Sequence, residues 1–134
     1  MTETEDFLAQ PNVAILATVD SRNRAHGTPV WYLYEGGEII INTGRGSQKH
    51  RNIEAHPDIS LVIDRRTLPY YALTLRGRAT IGPQMSEADC LRLAVRYLGE
   101  DIGRRYVEAT AGEDAITIRL RPEKTIVFDA RSRL

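Results

Sequence analysis

Residues 71 to 81 read Tyr-Ala-Leu-Thr-Leu-Arg-Gly-Arg-Ala-Thr-Ile. In an extended chain successive side chains point to opposite sides. Tyr71, Leu73, Leu75, Gly77, Ala79 and Ile81 therefore share one face, and Thr74, Arg76, Arg78 and Thr80 share the other. One apolar face and one wet face mark a half-buried antiparallel sheet. Upstream, Val13 to Val19 is apolar on both faces, as a buried central strand would be. The polar turn Asp20–Arg24 leads into an extended stretch, His26 to Tyr34, which Pro29 assigns to an edge or a bulge. Gly36-Gly37 makes a hairpin into Glu38 to Thr43. Ile59 to Asp64, Ala115 to Leu120 and Thr125 to Phe128 complete the strands, with Pro122 between the last two.

Helical signals are fewer. Thr4 to Gln10 predicts a short helix ended by Pro11, and Ser47 is a good N-cap for a helix reaching about His56. Ser86 with Asp89 is a capping-box-like start for a helix to Leu98. Its expected apolar stripe is Ala88, Leu91, Ala94, Val95 and Leu98, and Gly99 ends it. A further turn or two is expected from Ile102 to Thr110. This order predicts one mainly-β (α+β) domain over residues 1–134, antiparallel and barrel-like, and speaks against a doubly wound sheet.

Composition narrows the function classes. Lys plus Arg and Asp plus Glu number 18 each, so the formal net charge is zero. Non-specific nucleic-acid binding needs an excess of basic charge, so no nucleic-acid partner is expected and any anion recognition must be local. Cys90 is the single cysteine, which excludes an intrachain disulfide and a cysteine-based zinc site. His26, His50 and His56 lack metal-ligand spacing, so no metal is expected. The acidic N-terminus is the opposite of a secretory leader, and no apolar run approaches a membrane span. The expected location is cytoplasmic.

One segment conflicts with simple helix electrostatics. Residues 42 to 52, Asn-Thr-Gly-Arg-Gly-Ser-Gln-Lys-His-Arg-Asn, follow the apolar run Ile39–Ile41. Gly44 and Gly46 permit a tight turn, and Ser47 then places Lys49, His50 and Arg51 in a first helical turn. Cations there oppose the helix dipole at a cost of about 0.3–1 kcal/mol each. A bound anion would remove the conflict, with free N–H groups, Arg45 and Lys49 forming a phosphate cradle. Solvated basic residues on a surface helix are the competing reading. Neither a Walker loop nor a G-x-G-x-x-G fingerprint is present.

Further words occur in order: Ala17-Thr-Val-Asp20, His26-Gly-Thr-Pro-Val-Trp-Tyr32, Ile41-Asn-Thr43, Ser47-Gln-Lys49, Arg51-Asn52, His56-Pro57, Ser60 and Arg76-Gly-Arg-Ala79. Together they resemble the pyridoxamine 5′-phosphate oxidase-like split β-barrel superfamily. Within it the chain is similar to the small flavin/deazaflavin oxidoreductases of subgroup B, found in actinobacteria. The resemblance spans roughly residues 7 to 130. It implies a Greek-key antiparallel, FMN-binding-like split barrel with edge helices, a homodimer, and a cofactor site at the dimer interface. The implied cofactor is coenzyme F-420, with FMN as the alternative. Arg45, Ser47 and Lys49 would hold its phosphate, within a matching segment that runs from Thr43 to Asn52. His26, Thr28, Pro29, Val30 and Trp31 would line the ring system, and Asn42 and Thr43 would sit between ring and phosphate.

Single residues keep two readings. Trp31 is either core or a cofactor platform. Tyr71 either packs on the sheet, leaving Tyr70 exposed, or with Tyr70 closes the cleft from the partner subunit. Arg76 and Arg78 either contact an anionic tail or substrate, or pair across strands. Cys90 lies off the expected helix stripe. No Ser-His-Asp or Cys-His nucleophile arrangement is evident, which suits hydride chemistry, where a cofactor reacts and the protein orients it. The expected activity is an F-420-dependent reductase acting on a conjugated small molecule: an enone, a quinone-like compound or a tetrapyrrole such as biliverdin. The proton donor stays open among solvent, His26, Tyr71 and an arginine. An FMN-dependent reductase or pyridoxamine-phosphate-oxidase-like enzyme is the second expectation. The oxidase role is disfavoured because no counterpart of the extended C-terminal substrate segment precedes Leu134. A non-catalytic flavin, haem or tetrapyrrole carrier is the third.

Overall fold

The computed structural model describes residues 2–133. Helix α1 (Glu3–Leu8) is capped by Thr2, whose Oγ1 accepts the Glu5 N–H at 3.1 Å, and it delivers Phe7 and Leu8 to the core. Hairpin β1 (Ala14–Val19)–β2 (Ala25–Val30) is followed by hairpin β3 (Leu33–Glu35)–β4 (Glu38–Gly44), helix α2 (Gln48–Ala55) and hairpin β5 (Asp58–Arg65)–β6 (Tyr71–Gly82). Helices α3 (Glu87–Leu98) and α4 (Glu100–Ala109) precede β7 (Ala115–Leu120), β8 (Lys124–Asp129) and a 3-10 turn, Ala130–Arg133.

Among the described residues the strands join in the order β2-β1-β5-β6-β7-β4-β3, every pair antiparallel, with β8 also on β6. The alternating strand read first from the sequence organises the whole sheet. Residues 71–78 of β6 pair with β5; along the opposite edge, 71–76 take β8 and 79–82 take β7. Gly77 permits the changeover, because a Cβ there would lie 3.0 Å from Leu120 Cδ1, 3.1 Å from the Arg121 carbonyl and 3.2 Å from the Glu123 nitrogen. The two half-sheets curl around one core that includes Leu16, Ile41, Leu61, Leu73, Leu75, Ile116 and Ile118. The result is the antiparallel split barrel with edge helices. Ile81 departs from the expected pattern, being exposed near the end of β6.

Two further expectations need correction. The stretch His26 to Tyr34 is not one strand. It divides into β2, paired with β1, and β3, paired with β4 in the other half of the barrel. Trp31 and Tyr32 carry the chain across, and the Tyr32 N–H donates to the Tyr97 hydroxyl at 3.2 Å in place of a sheet partner. Side-chain alternation does not report a change of partner strand. Pro29 does lie on an edge strand, opposite Ile15.

The second correction concerns α3. Ala88 is exposed, and Leu93 and Ala94 are the buried residues. Cys90 and Tyr97 join Leu93 in packing against Leu33, Ile40 and Met85. Val95 instead meets Gly103 of α4. The helix buries two faces, one on the barrel and one on α4, so a single stripe was the wrong template.

Candidate functional site

A cleft of about 540 Å³ opens where β2 and β4 face the α3–α4 hairpin, a size typical of small-molecule sites. Pro29 and Val30 from β2, Trp31, Asn42 and Thr43 from β4, and Lys49 from α2 line it on the barrel side. Cys90, Leu93 and Ala94 from α3, with Tyr106, Val107 and Thr110 from α4 and its cap, line the other. Gln84 and Glu113 add polar groups, the Gln84 amide donating to the Glu113 carbonyl at 3.3 Å.

Two features of the lining call for a ligand. The Asn42 side-chain Oδ1 is buried with no hydrogen-bond partner among the described residues. An acceptor left so is costly, by about 1–3 kcal/mol, unless something donates to it. Lys49 makes no ion pair among the described residues, whereas Arg45 in the same turn pairs with Asp114. Trp31 forms a rigid wall. Its ring stacks on Tyr97 with centroids 5.0 Å apart and planes 5° apart, and Tyr106 leans on it at 5.4 Å. The Tyr97 hydroxyl, donating to the Asn12 carbonyl at 2.9 Å, fixes that stack.

The turn between β4 and α2 is tightly specified. Ser47 caps the helix, its Oγ accepting the His50 N–H at 3.3 Å and lying 3.4 Å from Thr43 Oγ1. Gly46 adopts φ +77°, a left-handed conformation suited to glycine. Its N–H donates to His50 Nδ1 at 2.9 Å, and its carbonyl accepts Arg51 Nη1 at 2.8 Å. The N–H groups of Gln48 and Lys49, first in α2, have no intrahelical partner and face the open end of the helix.

The residues expected from the sequence distribute as follows. Pro29, Val30, Trp31, Asn42, Thr43 and Lys49 meet in the cleft. Ser47 stands behind Thr43 as the helix cap. Arg45 lies outside the lining and pairs with Asp114, its Nε 3.1 Å from both carboxylate oxygens. Asn52 is buried beneath the helix and donates to Thr18 Oγ1 at 3.0 Å. His26 is half-buried on β2 opposite Thr18, and Thr28 Oγ1 is buried without a partner among the described residues.

Tyr71 sits in the core, its ring 4.7 Å from Phe7, as the packing alternative had it. Arg76 lines a separate, shallower depression with Asp58, Glu123 and Lys124, and the Arg78 N–H donates to Glu123. None of these three lines the cleft of its own chain.

Sequence reading missed the helical wall. Cys90, Leu93 and Tyr97 recur at helical spacing with Ala94, a signal present in the chain but overshadowed by the competing stripe. Burial above all, then the neighbouring Asp89 and Glu87 carboxylates, push the Cys90 thiol above its ordinary pKa.

Comparison with known proteins places this geometry in a lineage. No curated protein sequence gives a significant match. Among solved structures, a conserved hypothetical protein of Mycobacterium tuberculosis, Rv2991, superposes with TM-score 0.77 at 25% identity, covering 99% of this chain and 88% of its own. An F420 reductase gives TM-score 0.76 at 25% identity, covering 94% and 98%. HutZ, the haem storage protein of Vibrio cholerae, gives 0.69 at 21% identity, covering 95% and 92%, a likeness of fold alone. No helix among the described residues is long and apolar enough to cross a membrane. The family model described as pyridoxamine 5′-phosphate oxidase matches residues 1–128, and the chain belongs to that family.

Proposed function

We propose that this protein is an F-420-dependent reductase that holds its cofactor in the cleft of Trp31, Asn42 and Lys49. One observation carries the reading: an unpaired ammonium and a buried, unpartnered carbonyl oxygen share a cleft with a fixed aromatic wall. Lys49, Ser47 Oγ and the open N–H groups of Gln48 and Lys49 suit a phosphate. Asn42 Oδ1 suits the imide N–H that flavins and deazaflavins both carry. Pro29, Val30 and Trp31 suit a flat ring. None of the described histidines lines the cleft, which disfavours a haem ligated there by histidine. F-420 is preferred to FMN because the F420 reductase, at 25% identity and TM-score 0.76, is more similar to this chain than the FAD-binding neighbour, at 15% identity and TM-score 0.68.

Reduced deazaflavin bound there would supply a hydride to a conjugated acceptor such as an enone, a quinone-like compound or a tetrapyrrole, with the accompanying proton drawn from solvent or from an acid lining the cleft. The protein's own residues bind, orient and exclude water, and such a reaction asks for no protein nucleophile. Cys90, Tyr106 and Lys49 are cleft-lining residues with an acidic hydrogen, whereas His26 and Tyr71 lie elsewhere.

A homodimer is part of this proposal. Strand β8 sits at an edge and exposes three consecutive apolar residues, Ile126 (41%), Val127 (50%) and Phe128 (45%), a surface that a second copy would cover. Sedimentation velocity of the purified protein checks it, and a monomer at micromolar concentration would refute it. A cytoplasmic location is proposed with the same activity, since it keeps the lone Cys90 reduced.

The test is a parallel titration with F-420 and FMN, followed by Trp31 fluorescence and by equilibrium dialysis. Saturable binding of F-420 with much weaker FMN, and turnover of an enone or biliverdin with reduced F-420, is the expected result. The reverse preference moves the protein to FMN. Tight binding without reduction of any acceptor makes it a carrier, and binding of neither refutes the cleft assignment.

A further inference from the structure

His50 is buried, only 7% exposed, yet it does not line the cleft. Both ring nitrogens are committed. Nδ1 accepts the Gly46 N–H at 2.9 Å, and Nε2 faces the Glu54 carboxylate one turn along α2. An Nδ1 that accepts leaves the proton on Nε2, so Glu54 fixes the tautomer by accepting from it. A line of contacts thus runs from Glu54 through the imidazole to the backbone of Gly46, in the left-handed turn that opens α2.

We infer that His50 is a positioning residue for anion binding: by accepting the Gly46 N–H it sets the turn that presents Ser47, Lys49 and the open helix N–H groups to the cofactor phosphate. The inference rests on the reading that this turn holds a phosphate. Three observations make the imidazole more than filling. Gly46 is tied at its N–H by His50 and at its carbonyl by Arg51, so the peptide planes on both sides are fixed. The next residue is the cap Ser47, whose Oγ accepts the His50 N–H, so the same residue grips the turn by ring and backbone. Lys49 precedes His50 and enters the cleft from this frame. Because the imidazole takes the Gly46 N–H, that group is not an anion donor, and the phosphate must be met by the donors farther along.

The substitutions His50→Asn, His50→Gln and His50→Leu separate the roles. Asn keeps an acceptor close to the place of Nδ1 but cannot reach Glu54. Gln reaches toward Glu54 but leaves the Gly46 N–H without its acceptor. Leu does neither. The measurement is the ratio of dissociation constants for the phosphate-free ring–ribityl compound and its phosphate-bearing form, taken with both the deazaflavin pair (ending in F-420) and riboflavin against FMN. His50→Leu and His50→Gln should lower the ratio about three- to tenfold, the worth of one hydrogen bond, and His50→Asn should restore most of it. Affinity for the phosphate-free compounds should stay unchanged in all three, which reports an intact cleft. A wild-type ratio above ten that every variant retains overturns the role of His50 alone. Equal losses in Asn and Gln, or losses shared by the phosphate-free compounds, reduce His50 to a packing residue. A wild-type ratio near one removes the phosphate cradle itself, and this inference with it.

Discussion

Gly103 of α4 offers the sharpest test of how the cleft wall is built. A Cβ added there would stand 2.9 Å from the Val95 nitrogen, 3.0 Å from Val95 Cα and 3.0 Å from Val95 Cγ2, all on α3. Carbon contacts prefer about 3.5–4.0 Å, so the helices must part by roughly half an ångström. Two of the opposing atoms are backbone and cannot rotate away. Overpacking of this kind costs about 1–3 kcal/mol, while replacing a helical glycine by alanine returns about 1 kcal/mol. Gly103→Ala should therefore lose about 1 kcal/mol net, lowering Tm by roughly 3–5 °C in a domain of this size. Gly103→Val adds two methyl groups to the clash and should lose about 3 kcal/mol or more. The assays are calorimetric melting and urea denaturation, with cofactor titration in parallel. Tyr106, Val107 and Thr110 reach the cleft from this helix or its cap, so affinity should fall along with stability. Glycine most stable, then alanine, then valine is the expected order. If alanine proves more stable than glycine, the close approach of α4 to α3 is refuted, because an open helix would rank alanine first.

Other expectations concern the ligand contacts and their supports. Lys49→Ala should weaken F-420 binding roughly 10- to 100-fold, the worth of a charge-assisted hydrogen bond, and Arg45→Ala should cost less because Arg45 is engaged with Asp114. Unchanged affinity in the double variant would rule out the phosphate assignment. Tyr97→Phe removes the donor to Asn12 and the acceptor for the Tyr32 N–H, so urea denaturation should show a loss of about 1–3 kcal/mol, with altered Trp31 emission. A stability equal to wild type would mean that the crossover does not depend on this hydroxyl. Cys90, with its thiol pKa raised mainly by burial, should react slowly with iodoacetamide at pH 7 and faster only above the ordinary thiol range, where thiolate accumulates. Bound cofactor should slow it further. Fast alkylation at neutral pH, or indifference to cofactor, would contradict its place in the wall.

Local signals were readable where one residue's chemistry suffices. The Ser47 and Ser86 caps, the Gly36-Gly37 turn and the edge position of Pro29 each follow from a short-range rule, and each occurs as expected. Asn42, Thr43 and Lys49 were likewise named from one contiguous segment and do meet in the cleft. Asn52 shows the limit. It belongs to the same segment, yet its amide turns inward to Thr18, 34 positions away in the chain.

Alternation with period two, glycine turns and helix caps by themselves determined an antiparallel, strand-rich domain and the position of a basic turn at the start of a helix. Only the tertiary structure decided which strands are neighbours, so that His26 to Tyr34 changes half-barrel at Trp31 and α3 buries two faces. The physical reason is that periodicity records whether a side chain is buried, not what it is buried against. The cleft needs both kinds of information: Asn42, Thr43 and Lys49 come from one short stretch, but Cys90, Leu93, Ala94 and Tyr106 in its wall come from helices more than 40 residues farther along the chain.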